Sequence, residues 1–505
     1  MPFILHINRS KTKKMTQNIA IIIFFIITTT LIRSSTSIGK SWQRKPNKFD
    51  DLQDEMYRID KSDLIRVLFE NSSSPSHPNT SNQFCYITCP RGFGKSTNLR
   101  MIQSFAQIEL DFRGNVKHFN ETMARHIFTD LKINKYPEIV AEHMARYPVL
   151  YLSLARFARS SQTIDDVRLE LMISLGKTLD PYPFFKNHAK LYGSERNSTS
   201  SRCSWKSMRF IGDLLDKNLT TEDLRQALLV VSRSLYQYFN STKVIVLIDD
   251  YDDTALKSPI LESTYITEAY RELNLILAEV FKGGSSFVRN VIMTGVSSLP
   301  YSIDDAMVDT LTHYAFLDNH IFTPYFGLTE ADMNTSFTVY DISNQEQKAI
   351  NGFYNGYWTC STNGTKLFNT HSITRYLFNR FTTQKKPYPL KIYWTQDDLQ
   401  GCISRFFRHP QFRQLTLDAL KSGRLEYSIR KRQPGDAIRI LEEFRDGDYR
   451  NENRTLTGIL LTYYFEIGYL SYTSSLNVYT IPNLEVRKTL KKEARDFIAD
   501  QTRDQ

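Results

Sequence analysis

The densest chemistry in the sequence is CPRGFGKST, Cys89 to Thr97. Gly94, Lys95 and Ser96 reproduce the end of the phosphate-binding pattern G-x-x-x-x-G-K-[ST], with Cys89 where the first glycine would stand. Such a loop must aim backbone N–H groups from Gly92 to Ser96 at phosphate oxygens, helped by the positive end of the helix that follows. Arg91, Gly92, Gly94, Lys95, Ser96 and Thr97 are the expected phosphate-binding set. Lys95 would reach the β- and γ-phosphates, and the Ser96 hydroxyl would hold Mg2+. The competing reading is a chance Gly-Lys-Ser, which the loop alone does not exclude. VIVLIDDYDD, Val244 to Asp253, shifts the balance: it is a buried strand that ends in carboxylates. Asp249 stands where a carboxylate orders the Mg2+ shell, and Asp250 where one polarises the attacking water. In VIMTGVSS, Val291 to Ser298, Thr294 ends a third apolar run, placed to sense a γ-phosphate or simply to close the strand. The expected ligands are therefore ATP and Mg2+, with Ser96 and Asp249 on the metal and Asp250 and Thr294 at the reacting end.

These residues meet only if apolar strands and helices alternate. The spacing predicts strands over 84–88, 149–154, 244–248 and 288–293, and helices over 96–108, 221–239 and 267–281. Thr220 or Thr221 caps the 221–239 helix, Leu224, Leu228, Val231 and Leu235 line one face, and Gly283-Gly284 stops the 267–281 helix. Buried strands alternating with helices imply an α/β fold, a parallel sheet flanked by helices. Past residue 330 the pattern turns mainly helical. The expected organisation is a linker over 38–56, a nucleotide-binding α/β domain over 57–330, a mainly helical domain over 331–490 and a tail over 491–505. NSSSPSHPNTSN, 71–82, reads as a surface loop.

Composition narrows the alternatives. The chain has 505 residues, 41% hydrophobic and 23% charged, enough for two to four domains and too apolar for bulk disorder. One long apolar run excludes a polytopic membrane protein, and five cysteines exclude a disulfide-dense scaffold. The ten histidines show no metal-ligand spacing, so no zinc site is expected. Cys85 and Cys89 read as small packing residues, and Tyr354, Tyr357 and Trp358 as core and turn aromatics rather than a base-stacking platform.

The first 37 residues run from basic to apolar to small. Arg9 to Lys14 is basic, 19–32 is apolar but for Thr28–Thr30, and Ser34 to Ser37 are small. That is the order of a secretory signal, and the apolar run is short for a membrane span. Acceptor sequons follow at Asn71, Asn79, Asn120, Asn197, Asn218, Asn240, Asn334, Asn363 and Asn453. A secreted or lumenal glycoprotein is expected, or a single-pass protein anchored by 19–32 if the signal is retained. Net charge is +10, but residues 1–37 supply five cations and no acid, leaving +5 on the remainder. That is ordinary, so nucleic acid is not an expected partner; a protein partner is, without an identity.

In this setting the sequence resembles the AAA-ATPase-like family of P-loop proteins, whose bacterial members often carry a C-terminal nuclease-like domain. YRIDKSDL (57–64) is similar to the family's entry motif, and CPRGFGKST to its Arg-Pro-Arg-Arg-Phe-Gly-Lys-Ser loop, which also lacks the first glycine. VLIDDYDD resembles Leu-Ile-Asp-Glu-Tyr-Asp. YPVLYLSL (147–154), TPYFGLTEADM (323–333), FYNGYW (353–358), LFNTHSI (367–373), GYLSY (468–472) and IPNLEVR (481–487) continue the match in order. The resemblance implies an ATPase that couples Mg2+-dependent hydrolysis to a conformational change. Four positions depart from it. Asp250 replaces Glu, one methylene shorter; Ser298 stands at a usually basic position; Thr370 and His371 replace Pro and Trp. Eighteen residues follow Arg487, so no nuclease domain is expected. Asp250, Ser298 and the secretory signal favour an alternative: a catalytically weak or inactive, nucleotide-dependent interaction module of the secretory pathway.

Overall fold

A computed structural model describes residues 59–70, 84–192, 205–261, 265–284, 286–303, 309–318, 320–360, 364–383, 387–394, 399–447 and 454–503. The signal or anchor over 1–37, the linker, the 71–82 loop and the sequons at Asn71, Asn79, Asn197, Asn363 and Asn453 lie outside them.

Strands β1 (Phe84–Thr88), β2 (Val149–Ser153), β3 (Val244–Asp249), β4 (Val288–Gly295) and β5 (Thr312–Tyr314) form one sheet in the order β2-β3-β4-β1-β5. Every neighbouring pair is parallel. All six residues of β3 are buried, as a strand covered on both faces requires. The chain leaves β1 for the far edge, returns through β3 and β4, and then passes over β1 to β5. β1 and β4 therefore flank a switch point, and open α/β sheets take their ligands in the crevice beyond the strands' carboxyl ends at such a point. This is the α/β architecture expected from the alternation of buried strands and helices.

Local chemistry sets the element ends. Helix Thr221–Tyr238 starts where the Thr220 side chain accepts from the Asp223 N–H. Helix Lys95–Ala106 begins one residue earlier than its spacing suggested, because Gly94 at φ +89° turns the chain directly into it. β3 and β4 run on to Asp249 and Gly295, so Asp249 and Thr294 are strand residues.

The C-terminal half is mainly helical, with eight helices from Glu330–Val339 to Leu484–Arg503 among the described residues. Two small antiparallel sheets interrupt them. One pairs Leu328–Thr329 and Asn355–Trp358 with Lys366–Phe368; the other pairs Ser471–Tyr472 and Leu425–Glu426 with Val478–Thr480. A large apolar core runs from Leu64 to Phe497 and joins the central sheet to helix Arg454–Glu466, which is buried on every side from Leu456 onward. A smaller core gathers Leu328, Phe353, Ile373 and Tyr376.

One ion pair fixes that smaller core. Arg380 and Glu346 are 6% and 4% exposed and meet in a fork: Nε to Oε1 at 2.8 Å and Nη2 to Oε2 at 3.1 Å. The remaining guanidinium donors reach the carbonyls of Tyr340 and Asp341, and Tyr376 donates to Glu346. Removing one partner strands the other's charge, which costs about 3–5 kcal/mol, whereas replacing both avoids most of that loss. Arg380→Met should therefore destabilise the protein by about that amount in urea unfolding, and adding Glu346→Leu should recover much of it.

Candidate functional site

The loop between β1 and helix Lys95–Ala106 is shaped by two left-handed glycines, Gly92 at φ +84° and Gly94 at φ +89°. A Cβ on Gly92 would come within 2.7 Å of Asn369 Oδ1, whereas one on Gly94 would meet open space. Gly94 is thus required by its backbone angle, and Gly92 by angle and contact together. The first bond of the helix ladder runs from Asn98 N to Gly94 O at 2.9 Å. The N–H groups of Lys95, Ser96 and Thr97 therefore lie outside that ladder, at the positive helix end. Ser96 and Thr97 are exposed there. Lys95 is buried and folds back, its Nζ donating to the carbonyls of Cys89 (2.7 Å) and Pro90 (3.0 Å). An ammonium resting on two neutral carbonyls has every reason to prefer phosphate oxygens.

Across the crevice, Asp249 is held by side chains of two neighbouring strands. Thr294 Oγ1 donates to Oδ1 at 2.9 Å and the Tyr151 hydroxyl to Oδ2 at 2.7 Å. Tyr151 lies under the Arg100 guanidinium, 3.7 Å from its ring centroid, so the helix Lys95–Ala106 braces the same carboxylate. Asp250 follows in a left-handed conformation, φ +55°. Burial, then the neighbouring Asp249, push its carboxyl up to about 6, against the pull of Lys95. Lys95, Ser96, Asp249, Asp250 and Thr294 thus gather at the carboxyl ends of β1, β3 and β4. Among the described residues no group of three or more His, Cys, Asp or Glu could hold a metal. Ser96 and Asp249 fit a divalent cation only as partners of phosphate oxygens and water, as in phosphate-bound Mg2+.

Two acids past Asp250 have roles that spacing did not assign. Asp252 is fully buried and accepts the N–H groups of Val296 and Ser297, fixing the turn after β4; burial raises its carboxyl to about 7. Asp253 takes Arg91, whose Nη2 lies 3.0 Å from Oδ1. Arg91 therefore sits at the edge of the crevice, paired with a carboxylate.

The C-terminal half grips the loop. His371 N donates to Gly92 O at 2.9 Å, and Asn369 Nδ2 donates to Arg91 O at 3.0 Å. Phe93 is fully buried, its ring edge-on to Phe316 and Tyr357 at 5.2 and 5.1 Å, while its carbonyl accepts from Gly327 N. Ser298 is equally buried: its N–H and hydroxyl donate to Glu466 Oε1 at 3.0 and 2.6 Å, and Ser297 donates to Oε2. Cys85 and Cys89 are free and buried, and burial pushes their thiols up to about 12 and about 11, so they pack rather than react.

No curated protein matches the chain. Among solved structures, that of Cdc6p from Pyrobaculum aerophilum aligns over 91% of this chain and 95% of its own, at 10% identity and a TM-score of 0.29, too loose an overlap to bear on fold or function. The family model described as predicted AAA-ATPase matches residues 47–302. That span is half of the chain and includes the phosphate-binding loop and all of β1 to β4, and the chain accordingly belongs to the predicted AAA-ATPase family.

Proposed function

We propose that the protein binds Mg2+-ATP at the crevice beyond β1, β3 and β4 and hydrolyses it, moving its C-terminal half as it does so. Family membership supports nucleotide binding and ATPase activity in general. The observation that carries the finer reading is the meeting of Lys95, Asp249 and Asp250 around one helix N-terminus. Lys95 exchanges the Cys89 and Pro90 carbonyls for β- and γ-phosphate oxygens. The N–H groups of Lys95 to Thr97 receive the remaining phosphate charge, with Gly92 and Gly94 supplying the left-handed turns that bring the chain into the helix. Mg2+, when bound, neutralises phosphate charge as a Lewis acid beside Ser96 and Asp249. Thr294 and Tyr151 keep Asp249 from rotating. Asp250 accepts the proton of the attacking water, a role for which a carboxyl near 6 is well matched at neutral pH.

A second reading, a nucleotide-dependent interaction module, has its own support. Asp250 is one methylene shorter than the glutamate of the family's pattern, and Ser298, where that pattern is basic, is turned into the interior. For the secretory route, the support is the order of residues 1–37 and the exposure of all four described sequons, Asn120, Asn218, Asn240 and Asn334. Among the described residues no helix is long and apolar enough to cross a membrane.

Four measurements test these readings. Lys95→Ala should lower ATP affinity about ten- to a hundredfold in equilibrium titration, since each charge-assisted contact is worth about 1.5–3 kcal/mol. Unchanged affinity would refute the site. In steady-state phosphate release, Asp250→Asn should cut turnover about a hundredfold or more while ATP still binds. Asp250→Glu should raise turnover by closing the gap to water, at some cost in stability because Glu tolerates the left-handed backbone less well than Asp. Wild-type kcat/KM should rise with pH through about 6, where Asp250 loses its proton in the free enzyme. Flat rates across all three forms would leave the nucleotide as a structural ligand. Finally, expression of the full chain in a secretory host should give a product whose mass falls on N-glycosidase treatment; a full-length, unmodified product would remove the secretory reading.

A further inference from the structure

Asp253, four residues past β3, gathers three cationic side chains. Arg91 Nη2 lies 3.0 Å and Lys257 Nζ 2.9 Å from Oδ1, and Arg159 Nη2 lies 2.6 Å from Oδ2. The Arg156 N–H adds a fourth donor at 3.1 Å. Three cations thus share one carboxylate, and each comes from the carboxyl-terminal side of a different strand: Arg91 after β1, Arg159 after β2 and Lys257 after β3. They are not equivalent. The Lys257 side chain is 5% exposed, whereas those of Arg91 and Arg159 are each 31% exposed.

Arg159 is delivered at a conformational cost. Arg156 (φ +71°) and Ala158 (φ +54°) both carry a Cβ in the left-handed region within three residues. The stretch is pinned from outside: Ala158 N donates to Glu170 Oε2 at 2.7 Å, Thr254 donates to Phe157 O, and Leu154 N donates to Asp249 O at 2.9 Å. The arginine so presented keeps an unused donor, a buried Nε without a hydrogen-bond partner. Strain, pinning and spare donor capacity converge on one guanidinium beside the phosphate-binding loop.

We propose that Arg159, acting with Arg91, reads the terminal phosphate: Asp253 stores the two guanidinium groups when that phosphate is absent, and the terminal phosphate of a bound nucleoside triphosphate takes them over, leaving Lys257 to neutralise Asp253. The inference rests on the reading of the loop as an ATP site. A planar guanidinium fork matches two phosphate oxygens, and a phosphate carries more negative charge than the carboxylate it displaces. Lys257, buried and salt-bridged, prevents the release of the arginines from stranding Asp253. A diphosphate ends one group short and gives Arg159 no reason to leave.

The test uses the full chain with Mg2+ and compares equilibrium affinities for ATP and ADP in wild type, Arg159→Gln, Arg159→Lys and Lys95→Ala. Arg159→Gln should weaken ATP binding about tenfold, the loss of one charge-assisted contact, while leaving ADP binding unchanged. Arg159→Lys, which keeps the charge and loses the fork, should fall between. A thermal melt of each ligand-free variant checks that the fold is kept, and Arg159→Lys decides the question if Arg159→Gln does not fold. Equal losses for ATP and ADP, or no loss, would overturn the proposal while leaving the ATP site intact, provided Lys95→Ala lowers both affinities. If wild type binds neither nucleotide, or Lys95→Ala changes nothing, the ATP site falls and this inference falls with it.

Discussion

Phe93 occupies the middle of a loop that has to face two ways. The residues around it must present backbone N–H groups to an anion, yet its own ring is fully buried against Phe316 and Tyr357. Gly92 and Gly94 make this possible: each turns through the left-handed region, one on either side of the ring. The anchored Phe93 therefore fixes the loop's position from the C-terminal half rather than from β1 alone. Burying an aromatic ring is among the larger single contributions a side chain makes, so the loop and the aromatic cluster behind it move together or not at all.

The four acids at and just past the end of β3 show how environment divides one residue type into separate tasks. Asp249, braced by two hydroxyls, is the rigid one. Asp250 has lost most of its solvent and all of its backbone comfort, and its carboxyl rises accordingly. Asp252 satisfies itself with backbone N–H groups and closes a turn, while Asp253 collects cations from three segments. A run of like charges that would repel in isolation is stable because each member has a different set of donors.

Much of this was legible in the residues. The strand that leads to Lys95 and the one that ends in Asp249 are short continuous apolar runs, and Thr220 announces its helix by a side chain that can cap it. β5 and the two small sheets were not legible, because strands of two to four residues are too short to display a period. The contacts of the loop were less legible still. Asn369 meets Arg91 across 278 residues of chain, and no local pattern encodes that approach. Thr370 and His371 stood out only as departures from a family pattern, yet the backbone of His371 touches Gly92. Ser298 stood out as a missing basic residue of the family pattern; it is a buried partner of Glu466, a contact that exists only once the end of helix Arg454–Glu466 has reached the turn after β4.

That last contact bears on how a crevice could act at a distance. Glu466 holds the turn after β4 through Ser297 and Ser298. Two residues on, Gly468 packs against Pro90 of the phosphate-binding loop so closely that a Cβ would lie 2.9 Å from the proline ring, and its carbonyl accepts from Tyr357, the residue that flanks Phe93. One short C-terminal segment therefore touches both the loop that would hold phosphates and the strand end that carries Thr294. A shift at either is felt by the same three residues, and because the segment continues from a helix buried on every side, it has no soft direction in which to absorb the shift locally. The displacement has to be passed to the helix as a whole. Under the proposed function, that packing is the path by which a change at the crevice would reach the C-terminal half, with no need for a dedicated hinge.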